Sequence, residues 1–244
     1  MIMRQRARLL SGMVMWFYIA GHLSNHALGL VSLEAAEKGM RYGVLVWHSL
    51  PGTVLLYGAF ATHLVLAMFS LYDRHTLRLP ASELARIAFG LSFPLLLIGH
   101  AVVARVGWEW FGLLPQYDRV VWSLVASGSE GRQVALLAPG WAHGCMGLNL
   151  AFRHRPFYQR WKMVFLLLAV LLPLAAAAGF LNLDREITGL LQDPAWRAHA
   201  APLPNTAQLQ SLGALRDNLL HGYLCLLALV LLARGVRWLY ARGK

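Results

Sequence analysis

Residues 9–33 read LLSGMVMWFYIAGHLSNHALGLVSL, a run without a charged side chain that contains two histidines, His22 and His26. A transmembrane helix needs about 20 consecutive apolar residues, so this run is long enough to cross a bilayer. Because ionisable side chains inside a membrane are energetically costly, histidines at such positions indicate a functional site. The run therefore predicts a membrane helix that carries polar chemistry.

The rest of the 244-residue chain has the same character. Hydrophobic residues make up 58% and charged residues 14%, against about 25% charged residues in ordinary soluble domains. This composition excludes an ordinary soluble domain, and it also excludes a disordered chain, which would be poor in hydrophobic residues. The 22 Lys and Arg exceed the 11 Asp and Glu, but they flank long uncharged runs and form no dense basic patch. That distribution favours a membrane protein over a nucleic-acid-binding protein.

Gaps between charged residues predict an all-α integral membrane fold with six spans in a single domain over residues 1–244. The predicted spans are 9–32, 43–72, 87–105, 133–152, 163–183 and 216–238. We expect a tilt or kink near Pro51, at the start of the second span. The loops on the side of the two termini are rich in Lys and Arg, so the positive-inside rule places both termini in the cytoplasm.

Four histidines sort by depth into two pairs on four different predicted spans. His63 and His143 each lie 10 residues from a charged residue at the predicted cytoplasmic boundary, which is about 15 Å at about 1.5 Å per residue. His22 and His100 each lie 14 residues from that boundary, or about 21 Å. Two metal layers stacked in a four-helix bundle would produce this pattern.

Two imidazoles at one depth on opposite helices suit the axial positions of haem iron, whereas zinc sites gather three or four ligands. We therefore predict two b-type haems. Gly21, Gly99 and Gly144 each adjoin one of the four histidines, and a glycine beside a ligand removes a side chain that would collide with the porphyrin. Arg105 and the other arginines at the membrane interface are candidate partners of the haem propionates.

Other interpretations of the histidines remain open. Each can instead hydrogen-bond to a carbonyl or a neighbouring helix, in a haem-free transporter or structural anchor. His26 lies one helical turn from His22, so it can replace His22 as the ligand, contact a propionate or quinone, or join His22 in a zinc or copper site. His75, His154 and His199 lie outside the predicted spans and are interpreted as surface histidines.

Four of these segments resemble the di-haem cytochrome b anchors of succinate and fumarate:quinone oxidoreductases. They are Ser11-Gly12 before His22, HLVLAM at 63–68, IGH at 98–100 and HGCMGL at 143–148, the last of which matches an HGxxGL ligand motif. The resemblance covers about residues 8–183 and implies that His22 pairs with His100 and His63 with His143. A sixth span and longer outer loops depart from that family.

The run GHLSNHALGLVSL at 21–33 is similar to the six-helix haem-binding membrane domain of bacterial class III adenylate/guanylate cyclases. That resemblance accounts for the sixth span. It implies the inner membrane of a bacterium, a homodimer, and iron–sulfur and cyclase domains that follow this segment in the cytosol. The cyclase catalytic residues cannot be placed in this sequence, so cyclase activity is not carried over to it.

Two redox functions follow from the resemblances. The first is a di-haem b sensor that exchanges electrons with the quinone pool and regulates a nucleotide cyclase. The alternative is the anchor subunit of a succinate/fumarate-type quinone oxidoreductase, which would have separate flavoprotein and iron–sulfur partners. For both functions we expect membrane lipid and quinone as partners, and no nucleic acid.

Overall fold

The computed structural model describes residues 2–74, 76, 78–113, 115–199 and 204–242. Helices dominate this part of the chain, and it contains no strand. A π-helical segment, Val102–Val106, joins two of the helices, and a 3-10 turn, Leu28–Leu30, follows the first. The helices are α1 (Ile2–Ala27), α2 (Leu33–Trp47), α3 (Leu50–Tyr72), α4 (Ala81–Ala101), α5 (Gly107–Phe111), α6 (Tyr117–Ser127), α7 (Glu130–Phe152), α8 (Pro156–Leu190), α9 (Pro194–His199) and α10 (Thr206–Arg242).

Four helical stretches are long and apolar enough to cross a membrane. They are Leu50–Tyr72, Ala81–Phe111, Pro156–Leu190 and Thr206–Tyr240. They confirm the all-α class for the described residues and indicate a membrane-embedded protein. The helices of the first and fourth predicted spans, α1 and α7, are 26 and 23 residues long, but histidines and asparagines interrupt their apolar sequence. Membrane crossing by these two helices stays a prediction.

The predicted second span, 43–72, is wrong at its beginning because the helix is interrupted between α2, which ends at Trp47, and α3, which begins at Leu50. The Ser49 hydroxyl accepts a hydrogen bond of 3.1 Å from the backbone N–H of Gly52 and so caps α3. Pro51 lies in the first turn of α3, where its missing N–H costs no hydrogen bond. A helix break thus replaces the expected kink. The first span, 9–32, is also too long, since α1 ends at Ala27.

The four helices that carry the predicted ligands form a bundle. α1 packs against α3 and α7, and α4 packs against α7, so the order around the bundle is α3, α1, α7, α4. The sixth long helix, α10, contacts both α3 and α4 and covers the remaining side. In this order α1 is diagonal to α4, and α3 is diagonal to α7.

α8 lies outside this bundle and fixes the end of α1. A Cβ at Gly29 would lie 2.5 Å from the backbone oxygen of Gly179 on α8, so the two segments need glycine to approach this closely. The Asn182 side-chain amide donates to the carbonyl of Gly29 at 3.0 Å. A buried apolar cluster joins α8 to α2 and α6; it consists of Ala36, Tyr117, Val121, Phe180, Leu183 and Ile187.

Ion pairs identify one end of the bundle, which we call the basic end. The Asp73 carboxylate, just after α3, lies 3.8 Å from Arg4 on α1 and 3.4 Å from Arg237 on α10. Arg234 donates to the carbonyl of Arg74 at 3.0 Å. The opposite end holds α6 and is called the loop end.

Candidate functional site

The structure brings the four predicted ligands together as two diagonal pairs. The ring centroids of His22 and His100 are 5.8 Å apart, and those of His63 and His143 are 6.0 Å apart. With a metal–nitrogen bond of about 2 Å, and about 1.2 Å from that nitrogen to the ring centre, two imidazoles on opposite sides of one ion would have centroids about 6.4 Å apart. No hydrogen bond between these described rings joins either pair. Both separations are about 0.5 Å shorter than this distance, so a small outward movement of the rings would allow axial ligation.

His63 and His143 form the pair nearer the basic end, and backbone carbonyls hold both rings. His63 Nδ1 lies 3.1 Å from the carbonyl oxygen of Arg8, and His143 Nδ1 lies 2.8 Å from that of Arg86. A carbonyl only accepts, so each Nδ1 carries the hydrogen and each Nε2 keeps its lone pair. Metal-ligating histidines commonly donate their other ring N–H in this way.

Two glycines that the sequence analysis did not assign to the site make room for these rings. A Cβ at Gly12 would lie 3.1 Å from His63 Cε1, and a Cβ at Gly90 would lie 2.6 Å from His143 Cε1. Real Cβ atoms essentially never show contacts under 3.0 Å, so any other residue at position 90 would displace the ring. The signal for Gly12 was its position beside Ser11, whose hydroxyl lies 3.3 Å from His63 Nδ1.

Two of the three glycines predicted beside a porphyrin have other neighbours. Gly99 is buried against the guanidinium of Arg132, and a Cβ at Gly144 would lie 2.8 Å from the indole of Trp16. No heavy atom lies within 4 Å of the Cβ position of Gly21. Side chains rather than ligand rings therefore fill the space beside Gly99 and Gly144, and the porphyrin role of all three glycines stays a prediction.

Side chains hold the loop-end pair, His22 and His100. The side chain of Gln133, in the first turn of α7, lies within hydrogen-bonding reach of His100. His26 lies between two partners: its Nε2 is 3.2 Å from His22 Nε2, and its Nδ1 is 2.6 Å from the Tyr117 hydroxyl. Burial raises the pKa of Tyr117, so this hydroxyl keeps its proton. The ring of His22, and not that of His26, pairs with His100 at 5.8 Å between centroids, while the Nε2 of His22 also contacts His26.

Arg105, the predicted propionate partner, is engaged elsewhere. Its Nη2 donates to the Thr53 hydroxyl at 3.1 Å and lies 3.0 Å from the Glu109 carboxylate. Its guanidinium also stands 6.0 Å above the ring of Tyr57. A propionate at Arg105 stays a prediction, and it would have to compete with Glu109.

Within the described ranges, no group of three or more His, Cys, Asp or Glu side chains could hold a metal ion. The zinc or copper alternative at His22 and His26 therefore gains no third ligand there. Of the three predicted surface histidines, His154 is exposed, whereas His75 and the His199 side chain lie outside the described residues.

Comparisons of the chain with models of protein families, with curated proteins and with solved structures gave no match. Its function is therefore inferred from the helical bundle and the placement of the histidines.

Proposed function

We propose that this chain is a di-haem b membrane redox module. One haem would lie between His22 and His100 and the other between His63 and His143. The observation that carries the proposal is the diagonal pairing of the four histidines, with ring centroids 5.8 and 6.0 Å apart. The hydrogen bonds from His63 and His143 to backbone carbonyls support it, because they leave both Nε2 lone pairs free for a metal.

A haem bound here would supply one-electron transfer between ferric and ferrous iron. The residues of the chain would fix the orientation and electronic properties of its ligands. The carbonyls of Arg8 and Arg86 hold the rings in one tautomer and raise the basicity of the ligating nitrogen. Gly12 and Gly90 provide the space in which the rings stand. The apolar side chains of the surrounding helices exclude water, which lowers the local dielectric and thereby tunes the reduction potential.

In the proposed topology all six long helices cross the inner membrane of a bacterium, and both termini face the cytoplasm. The long helices are α1, α3, α4 with α5, α7, α8 and α10. Two observations support this topology: Lys and Arg are concentrated on the side of the termini, and Asp73 pairs with both Arg4 and Arg237 near those termini.

The proposed redox partner is the quinone pool, and the proposed role is that of a sensing anchor for a nucleotide cyclase, acting as a homodimer. The close packing of α10 on α3 and α4 supports a six-helix unit over the five-helix anchor of a quinone oxidoreductase. The anchor-subunit alternative predicts that flavoprotein and iron–sulfur subunits copurify with the chain. The sensor predicts that cyclic-nucleotide synthesis by the full-length protein changes with the quinol/quinone ratio.

The direct test is the reduction of the purified protein by menadiol, followed by visible spectroscopy. We expect b-type, low-spin bands that appear with menadiol and disappear with menadione. Bands that respond to dithionite but not to menadiol would overturn quinone exchange. A protein that shows no such bands after expression with sufficient haem would overturn the redox module and favour a haem-free membrane protein.

A further inference from the structure

Two arginines converge beside the loop-end pair, and nothing in the proposed function uses them. Arg132 lies in the first turn of α7, and its guanidinium packs on Gly99 in the space that a Cβ would occupy. Arg216 reaches the same point from α10, with its Cδ 3.5 Å from that Cβ position. Gly99 immediately precedes His100, and Gln133, the neighbour of Arg132, lies within hydrogen-bonding reach of His100. Two cationic side chains therefore meet next to a proposed ligand.

The charge of Arg132 is available to an anionic group. Among the described residues, no carboxylate forms an ion pair with it. Arg216 pairs at 2.8 Å with Asp217, its own neighbour on α10, whose side chain is 51% exposed. Because an exposed ion pair contributes little free energy, Arg216 can change partner at small cost. A guanidinium can bind a carboxylate through two parallel hydrogen bonds, which suits both arginines to such a ligand.

A matching pair of arginines lies at the basic end. Arg8 and Arg86 supply the carbonyls that hold the basic-end rings, so both arginines lie beside this histidine pair. No described carboxylate forms an ion pair with Arg8. Arg86 shares Glu83 with Arg74, and the carboxylate lies nearer to Arg74, at 2.5 Å, than to Arg86, at 3.6 Å. Each histidine pair therefore has two arginines on the side of its own end of the bundle.

We propose that these four arginines form two carboxylate-binding sites, Arg132 with Arg216 at the loop end and Arg8 with Arg86 at the basic end. Each site holds the two propionates of one haem, so the inference rests on the proposed di-haem function. Two guanidinium groups match the two carboxylates of each haem in number and in charge. This assignment replaces Arg105, which is less exposed than Arg216 and is held by the Thr53 hydroxyl as well as by Glu109.

The test is a spectroelectrochemical titration of both haems in the intact protein. An unpaired propionate beside the iron stabilises the ferric state, because the ferric haem carries one more positive charge than the ferrous haem. The double variant Arg132→Gln/Arg216→Gln should therefore lower the reduction equilibrium constant of the loop-end haem about tenfold, or about 60 mV for a one-electron couple. The basic-end haem should shift much less. His100→Ala identifies the loop-end haem by its loss.

Arg185→Gln is the matched control for a charge lost at the same end of the molecule. Arg185 lies near the end of α8, exposed, and its Nε donates to the carbonyl of Leu181. The Arg185→Gln variant should leave the reduction potentials of both haems unchanged. Arg132→Lys keeps the positive charge but loses the paired donors of the guanidinium, so it should shift the reduction potential less than Arg132→Gln does. It replaces the double variant if that variant does not fold.

The outcomes separate the two proposals. A wild-type protein without haem overturns both of them. Two haems whose potentials do not respond to Arg132→Gln, Arg132→Lys or Arg216→Gln overturn the arginine assignment alone. A shift caused by Arg105→Gln, in place of these variants, also overturns it and returns the propionate to Arg105. A shift of the other haem with Arg8→Gln and Arg86→Gln would support the second site.

Discussion

The two histidine pairs have nearly the same separation, but different groups hold their rings. At the basic end, each ring donates to a helix carbonyl, from Arg8 or from Arg86. At the loop end, the partners are the side chains of Gln133, His26 and Tyr117. Backbone positions are fixed once the helices pack, whereas side chains retain rotamer freedom that must be lost on ordering. The basic-end site is therefore preorganised, and the loop-end site depends on a few replaceable contacts.

A carbonyl within a helix can hold a histidine because it has two lone pairs. One lone pair accepts the hydrogen bond of its own helix, and the second can accept from an imidazole on a neighbouring helix. Such an anchor cannot be removed by changing the side chain of the residue that provides it. The comparison thus predicts that haem binding at the basic end is weakened only by substitution of a ligand histidine or of an adjacent glycine. Haem binding at the loop end should also be weakened by substitution of the side chains that hydrogen-bond to the rings.

The largest expected effect is the loss of one haem at a time. His63→Ala or His143→Ala should reduce the haem content from two per chain to one, because each removes one of two axial ligands. His100→Ala should remove the other haem, and His63→Ala/His100→Ala should remove both. Pyridine haemochrome assays against protein concentration measure the content. A single variant that loses both haems, while it remains monodisperse in detergent, would contradict two independent sites.

The next effect separates the two histidines of α1. His22→Ala should abolish the loop-end haem, whereas His26→Ala should retain it with low-spin bands, because the ring of His22 faces His100. Electron paramagnetic resonance of the oxidised variants distinguishes bis-imidazole from other ligation. If His26→Ala loses the haem and His22→Ala keeps it, the assignment of the ligand is reversed.

The glycines beside the basic-end rings should give a graded effect. Gly90→Ala places a methyl group 2.6 Å from His143 Cε1, so we expect displaced ligation and loss of most of the basic-end haem. Gly12→Ala brings its methyl group only to 3.1 Å from His63 Cε1 and should weaken binding less. Gly58→Ala on α3 is the control, since nothing lies within 4 Å of its Cβ. Equal haem contents in the three variants would show that the rings do not need these glycines.

The smallest effect is expected from the hydrogen-bond partner of His100. Gln133→Leu removes the side chain that orients this ring, and the loss of such a partner typically weakens metal binding about 10-fold to 100-fold. Haem transfer to apomyoglobin measures the affinity. The basic-end haem should transfer at the wild-type rate, because its ligands are held by carbonyls. Faster transfer of both haems would mean that Gln133 supports the whole bundle rather than one ring.

The pairing of the histidines could be predicted from the sequence because it depends only on depth. A helix rises by a fixed amount per residue, and the charged residues Arg8, Asp73, Arg86 and Arg153 mark one boundary. The residues that surround the rings depend instead on how each helix is rotated about its axis. α3 is apolar on every side, so no periodicity indicates which face turns towards the bundle. For this reason the contacts of Gly12 and Gly90 with the rings, and of Arg132 with Gly99, emerge only from the structure.

The helix boundaries could be predicted where charged residues flank an apolar run. They could not be predicted where a helix cap begins a new helix within such a run. The sequence predicts a continuous second span because no charge interrupts residues 43–72. In the structure the Ser49 hydroxyl and Pro51 begin a new helix within that run. Capping is a local hydrogen bond, and hydropathy over a long window does not register it.

The haem content of the purified wild-type protein tests the central claim most directly. A reduced-minus-oxidised visible spectrum, combined with a pyridine haemochrome assay, should give two b-type, low-spin haems per polypeptide. A polypeptide that folds as a helical membrane protein and contains no haem, after expression with sufficient haem, would contradict the account and leave the histidine pairs as contacts between helices.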